Sequence, residues 1–321
     1  MSDLNSKFLG LNDKITLTPS KKENLRTGRD ALRGKVEDSF TESDRKKPNF
    51  CGQGSYMMKT TTNPINGGEY DIDDGVYLQG YSDKDMNCWP KTSTVHDWIK
   101  KAIKDHTSKN PIDKNTCVRV VYAGDYHIDL PAYIEKDGTV YLAHKSKGWT
   151  ESDPKAFTNW FIGKVKEEGE QLRSIVKYLK AWKDYKSIDF KGIAITILVG
   201  ENYYSYDNRD DLALLGTITN ILDELKNDFK CKKPVAPYEN IFDGYSQTRE
   251  DSIINGLTSL KNNLQKAIDE DNEEEACNIM RKFFGDRFPK GEDTSERNLE
   301  ESANYVKANA PAIIKNDGRS A

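Results

Sequence analysis

Residues 51–78, CGQGSYMMKTTTNPINGGEYDIDDGVYL, decide the reading of this chain. Near the end of the stretch Tyr70 and Ile72 alternate with Asp71 and Asp73, which is the period of a half-buried β-strand. Carboxylates at i and i+2 then project from one face, and they repel each other unless a cation lies between them. Upstream, Gln53 is followed by Gly54 and Ser55. A Gly-Ser turn offers what phosphates need: backbone free to approach closely, exposed N–H donors and a hydroxyl. Each part alone is bland, since a Gly-Ser pair is ordinarily just a turn and a lone Asp-x-Asp ordinarily an exposed strand or loop. DIDDG also brushes the calcium-loop pattern. Its Gly75 follows the first Asp one position too early, however, and Ser82 stands where a bidentate glutamate belongs, which excludes that reading.

Order and spacing raise the joint meaning of these parts. Downstream, YHIDLPAY carries a third carboxylate, Asp129, on another strand pattern. Hard divalent cations take oxygen ligands, and a third carboxylate from a neighbouring strand completes a two-metal cradle. Turn, Asp-x-Asp strand and later Asp strand together describe nucleotidyl transfer. His127 shares the strand face of Asp129, although metal-assisted phosphoryl chemistry does not need an imidazole.

Around this centre, residues 19–44 read as an amphipathic helix with Leu25, Leu32, Val36 and Phe40 as its stripe, and residues 93–106 as a second helix. Residues 117–122, 126–134 and 140–143 read as strands, with Lys136-Asp137-Gly138-Thr139 as a hairpin turn. Ser152-Asp153-Pro154 marks a helix start, after which residues 157–166, 171–185, 209–229 and 252–284 read as helices and 192–200 as a buried strand. On the helix 171–185, Arg173, Lys177 and Lys180 fall on one basic face, a pattern that is as often mere solvated surface. Tyr56, Tyr122 and Tyr204 are candidates to stack on a base, though each equally suits a core.

The composition sets outer bounds. In 321 residues, 48 Lys and Arg face 52 Asp and Glu for a formal charge of −4, which argues against a general nucleic-acid coat protein. The length allows about two domains, and 16 Tyr, 11 Phe and 5 Trp exclude a fully disordered chain. Five scattered cysteines form no CxxC or Cys/His cluster, so neither structural zinc nor a disulfide framework is expected and a reducing, cytoplasmic setting fits. No apolar run behind a basic flank marks a signal peptide, and the longest apolar stretch, 193–199, falls far short of the ~20 residues that span a bilayer.

The runs GQGSYMMKTTTNPINGGEYDIDDGVYL, HIDLPAY, KGWTESDPKAFTNWF and LRSIVKYLKAWKD resemble the bacterial CD-NTases, the cGAS/DncV-like nucleotidyltransferases of CBASS anti-phage systems. The likeness extends over residues 25–289, with the DIDDG motif closest to the DncV-like members. It implies an α+β fold in which a DNA-polymerase-β-like palm with a mixed sheet packs on a helical lobe. The corresponding division is a palm with its N-terminal helix at 1–165, a helical lobe at 166–290 and a flexible tail at 291–321.

The activity implied is the joining of purine nucleoside triphosphates, ATP and GTP, into a cyclic di- or trinucleotide messenger. By the same resemblance Asp71 and Asp73 bind two Mg²⁺ ions, with Mn²⁺ as a substitute, while Asp129 binds one of them and helps activate the acceptor ribose hydroxyl. Gln53, Gly54 and Ser55 hold the donor triphosphate, and Lys180, with Lys177 beside it, reaches that triphosphate. Where relatives often carry Ser-Gly, this chain has Phe190-Lys191-Gly192, so Lys191 is expected to replace a serine contact. The implied partners are a CBASS effector, reached through the cyclic product, and a ubiquitin-transfer-like protein that conjugates the tail ending Gly318-Arg319-Ser320-Ala321; neither DNA nor a membrane is required. Two other readings stay open: a linear nucleotidyltransferase acting on RNA or a small-molecule acceptor, and a nucleotide-binding sensor or scaffold without turnover.

Overall fold

The computed structural model describes residues 2–65, 68–124 and 126–294. Its elements in chain order are helices α1 (Asn5–Ile15) and α2 (Pro19–Glu42), strand β1 (Asn49–Gln53), the one-turn helix α3 (Gly54–Met57), β2 (Tyr70–Tyr77), α4 (Thr92–Ala102), β3 (Ile112–Asp113), β4 (Val118–Tyr122), β5 (Tyr126–Leu130), β6 (Ala132–Lys136), β7 (Thr139–His144) and β8 (Gly148–Glu151). The helical remainder is α5 (Pro154–Glu168), α6 (Gln171–Tyr185), α7 (Gly192–Asn202), α8 (Asp210–Asn227), α9 (Gln247–Asp269) and α10 (Glu273–Phe284). The fold is therefore α+β, a mixed sheet against a helical lobe.

The central strand β2 carries a different partner on each edge. β1 runs antiparallel along one edge, while β5 and then β6 run parallel along the other. The expected single strand 126–134 is thus interrupted, because Pro131 has no N–H to donate. Its carbonyl still accepts from the Val76 N–H at 2.8 Å, which keeps both halves on β2. Beyond them, β5 continues antiparallel to β4 and β3, and β6 to β7 and β8. Asp137 (φ 50°) and Gly138 (φ 79°) form the β6–β7 turn, two successive left-handed residues as a tight hairpin demands.

One face of this sheet is apolar. Leu25, Leu32, Val36 and Phe40 of α2 and Val95 and Ile99 of α4 pack against Ile72, Val76, Val120 and Ile128. The Thr18 hydroxyl caps α2, and Pro19 occupies its first turn. With the even positions of β2 committed to that core, Asp71 and Asp73 are left on the opposite face.

The helical core departs from the sequence expectations in three places. Residues 192–200 form most of helix α7 and not a strand. Ala194 through Val199 are all buried, and a short apolar run enclosed on every side carries no periodicity to separate the two forms. The expected helix 252–284 is two helices, α10 restarting where the Asn272 side chain accepts from the Glu274 N–H at 2.9 Å. Finally, α1 and α5 bury Phe8, Leu11, Phe157 and Phe161 in the helical core, so packing does not divide the chain at 165/166. The expected tail at 291–321 lies outside the described residues from 295 onward, the conjugation site included.

Candidate active site

The acidic face of the sheet and the basic part of the helical lobe enclose a cleft of about 610 Å³. Register builds its acidic wall. Asp73 stands opposite Asp129 across the parallel β2–β5 pair, and Asp71 lies two residues back on the same face. Asp129 is 7% exposed, whereas Asp71 and Asp73 line the cleft. Neither Asp71 nor Asp73 accepts a hydrogen bond from any described residue. Burial, and after it the charges of Asp71 and Asp129, hold Asp73 well above the usual carboxylate range.

Arg119 on β4 answers only part of this acidity. Its Nε donates to Asp129 Oδ1 and a terminal nitrogen to Oδ2, both at 2.7 Å. Among the described residues no three acidic, histidine or cysteine side chains close around a point that one ion could occupy. Asp71 and Asp73 instead stand two residues apart on one strand face that lines the cleft. Their all-oxygen donor set, unpartnered at Asp71 and Asp73, fits a hard divalent cation that shares its coordination with substrate phosphates.

The donor loop is shaped by one glycine. Gly54 adopts φ +70°, and a Cβ there would collide with the Asp73 carboxylate, so only glycine lets the loop pass that close. Beside it, the hydroxyls of Ser55 and Thr61 are 2.8 Å apart, and Gln53 donates to the Tyr133 hydroxyl at 2.8 Å. From the lobe, the Lys180 ammonium reaches Thr60, donating to its carbonyl at 3.2 Å and its hydroxyl at 3.1 Å. Burial pulls the Lys180 pKa down to about 8, against the attraction of Asp71.

Not every expected site residue meets in the cleft. Gln53, Gly54, Ser55, Asp71, Asp73 and Lys180 line it together. Lys177 points away, its ammonium 3.0 Å from the Thr16 hydroxyl. Lys191 is likewise directed elsewhere, donating to the Ile241 carbonyl at 3.1 Å beside the Tyr245 ring. Of the tyrosines, Tyr122 stacks on Tyr126 at 4.5 Å, Tyr204 is exposed and Tyr56 lies outside the cleft, whose apolar walls are Phe157, Ile193 and Leu142. His127 is buried, 3.9 Å from Asp129, and burial lowers its pKa. The sequence reading missed Arg119, Lys183 and Lys233. Lys183 and Lys233 line the cleft and are paired with Asp184 at 2.7 Å and Glu239 at 3.9 Å.

With this geometry in hand, two family models match in chain order. The nucleotidyltransferase domain of cyclic GMP-AMP synthase DncV-like proteins matches residues 48–133, and the cyclic GMP-AMP synthase C-terminal domain matches residues 169–296. The chain belongs to the cGAS/DncV-like nucleotidyltransferases. A cyclic GMP-AMP synthase from Escherichia albertii is 29% identical over 219 residues, a match that takes in 64% of this chain and 47% of that protein. The chain thus spans about half the length of that relative. A c-di-GMP synthase from Roseivirga ehrenbergii is 25% identical over 279 residues, covering 73% of this chain and 71% of the relative.

Solved structures agree on the fold. The Vibrio cholerae di-nucleotide cyclase in complex with ATP, GTP and 5MTHFGLU2 superposes with a TM-score of 0.77 at 19% identity, over 90% of this chain and 97% of that one. The Vibrio cholerae cyclic AMP-GMP synthase with the linear intermediate pppA(3′,5′)pG gives 0.76 at 20% identity, with the same coverage. In this chain the cleft lies where the sheet meets helices α6 and α7. No helix among the described residues is long and apolar enough to cross a membrane.

Proposed function

We propose that this nucleotidyltransferase joins purine nucleoside triphosphates, ATP and GTP, into a cyclic dinucleotide or trinucleotide. The observation that carries the reading is the pairing of two walls in one cleft: Asp71 and Asp73 on the sheet, with Asp129 in register beside Asp73, and Ser55 with Lys180 lining the same cleft. The names of the relatives support the cyclic product.

In each transfer the acceptor ribose hydroxyl oxygen bonds to the α-phosphorus, the bond to pyrophosphate breaks, and the hydroxyl proton leaves. Ser55 and the loop at Gly54 hold the donor triphosphate, while Lys180 neutralises its charge. Gln53, tied to Tyr133, braces the loop from behind. Asp129 takes part in accepting the hydroxyl proton, and Arg119 fixes the orientation of its carboxylate. Asp71 and Asp73 would hold two Mg²⁺ ions, or Mn²⁺ in their place, together with substrate phosphates, Asp129 joining one of them once its side chain turns toward the ion, and the ions would supply further charge neutralisation and lower the hydroxyl pKa. Ring closure repeats the transfer with the linear intermediate turned round in the same cleft. In this reading the enzyme works in the cytoplasm, its product signals to a CBASS effector in anti-phage defence, and a ubiquitin-transfer-like partner conjugates its C-terminus.

The test is incubation with α-labelled ATP and GTP in Mg²⁺, followed by phosphatase and mass spectrometry. Label that survives phosphatase at the mass of a cyclic oligonucleotide supports the proposal. Phosphatase-labile or acceptor-attached label points to a linear transferase, and absence of any product points to a sensor or scaffold.

A further inference from the structure

A second cavity, of about 530 Å³, is separated from the cleft by the single segment 56–61. Along this partition Met57 and Lys59 face the second cavity, Met58 and Thr60 face the cleft, and Thr61 lines both. Helix α6 runs past the two in turn, giving Arg173 and Lys177 to the second cavity and Lys180 to the cleft.

Three lysines around this cavity, Lys22, Lys59 and Lys177, have no acidic counterpart among the described residues. Lys177 is 8% exposed, and among the described residues its ammonium has the Thr16 hydroxyl as its hydrogen-bond partner and no carboxylate in ion-pair range. A buried cation without an acid is costly to hold. Burial draws its pKa down to about 8, with Lys22 and Arg173 pushing the same way and Asp13 and Glu170 opposing. Lys22 and Lys59 are exposed cations on the rim, with no ion pair among the described residues. Glu170 does enter the lining, but its carboxylate is bound to Arg173. Across the void, the Asn12 side-chain oxygen is buried with no donor, and the Tyr56 ring supplies a flat, half-buried wall.

We propose that this cavity is a second nucleotide-binding site, its phosphates facing Lys22, Lys59 and Lys177, its base against Tyr56 and a sugar or base donor satisfying Asn12. Cations alone would suit any phosphate. The orphan acceptor and the aromatic wall add what a nucleoside supplies, and the volume falls within the usual range of small-molecule sites. The site has a direct line to the cleft, because Thr61, at its edge, lies 2.8 Å from the Ser55 hydroxyl. Occupancy therefore biases the donor loop, and donor binding biases occupancy by the same factor. The site stands on its own contacts and does not depend on what the cleft makes.

The experiment is equilibrium dialysis of the full chain in EDTA with α,β-methylene-ATP, α,β-methylene-GTP, a cyclic dinucleotide or inorganic pyrophosphate. It compares wild type, Lys180→Glu in the cleft and the double variant Lys22→Glu/Lys59→Glu, whose changes are at exposed positions. The expected result is a nucleotide equivalent that Lys180→Glu retains and that the double variant binds at least about tenfold more weakly. Whichever nucleotide binds best identifies the source. The proposal is overturned by a double variant that binds like wild type, by loss of all binding in Lys180→Glu, or by pyrophosphate binding as tightly as the nucleotides. A cleft that makes no cyclic product would leave each of these outcomes readable.

Discussion

The two walls of the cleft place charge by different means. On the sheet side, short carboxylates are held by strand register, so the positions of Asp71, Asp73 and Asp129 follow from backbone hydrogen bonds on both edges of β2. On the helical side, long lysine side chains reach in from α6 and from the loop after α8, and each ammonium already has a partner in Thr60, Asp184 or Glu239. The sheet wall fixes geometry where bonds would form and break. The helical wall supplies reach where charge only needs neutralising, and its removal should be the better tolerated.

The most damaging way to probe that contrast is Asp73→Asn, which keeps the shape and removes the charge. Turnover of labelled ATP and GTP should fall by roughly a thousandfold with the thermal midpoint unchanged or raised; a loss under about tenfold would break the comparison. Gly54→Ala comes next. A Cβ forces the donor loop off Asp73, and turnover should drop ~100-fold while the circular dichroism spectrum stays native.

Lys180→Met should cost ~10- to 100-fold, mostly in KM, as expected of a wall that binds more than it aligns. The same lysine gives the comparison a pH signature. Its pKa is lowered to about 8, so it is charged below that value and loses its charge as pH rises through it. Nucleotide affinity of the free enzyme should therefore decline across that range, and Lys180→Arg should flatten the decline, since arginine stays protonated. The smallest effect is expected at a residue that lines neither wall. Arg249→Ala removes an ion pair to the largely exposed Asp189 and a cation–π contact with the Tyr245 ring, and should change stability by about 1–2 kcal/mol in urea titration, with turnover unaltered.

What could be read from the sequence divides along the same line. The sheet wall was legible because alternation is a local signal: Tyr70 and Ile72 against Asp71 and Asp73 announce the strand and its faces together. Helix α6 was legible to the residue because its apolar and basic positions recur with helical spacing. Arg119 was not, since only the register of β4 against β5 shows that it stands opposite Asp129. Lys233 reaches the cleft from a loop whose course no periodicity encodes. Helix α7 looked like a strand because it is buried all round, whereas α1 passed unread although Phe8, Leu11 and Ile15 recur at intervals of three and four, a helical signal that could have found it. Lys177 and Lys180 shared a face in the sequence, yet three residues along α6 carry the chain past a partition and into a different cavity.

Pro131 carries a consequence for how this protein tolerates changes in length. β5 and β6 are graduated against the same edge of β2, with Asp129 measured on one side of the proline and Tyr133, the support of Gln53, on the other. Extra residues in the β6–β7 turn at Asp137 and Gly138 would lengthen a hairpin and leave those marks where they are. A single residue inserted between Asp129 and Tyr133 would move one mark relative to the other. The third carboxylate and the brace of the donor loop could then no longer both keep their places, though every side chain of the site would still be present.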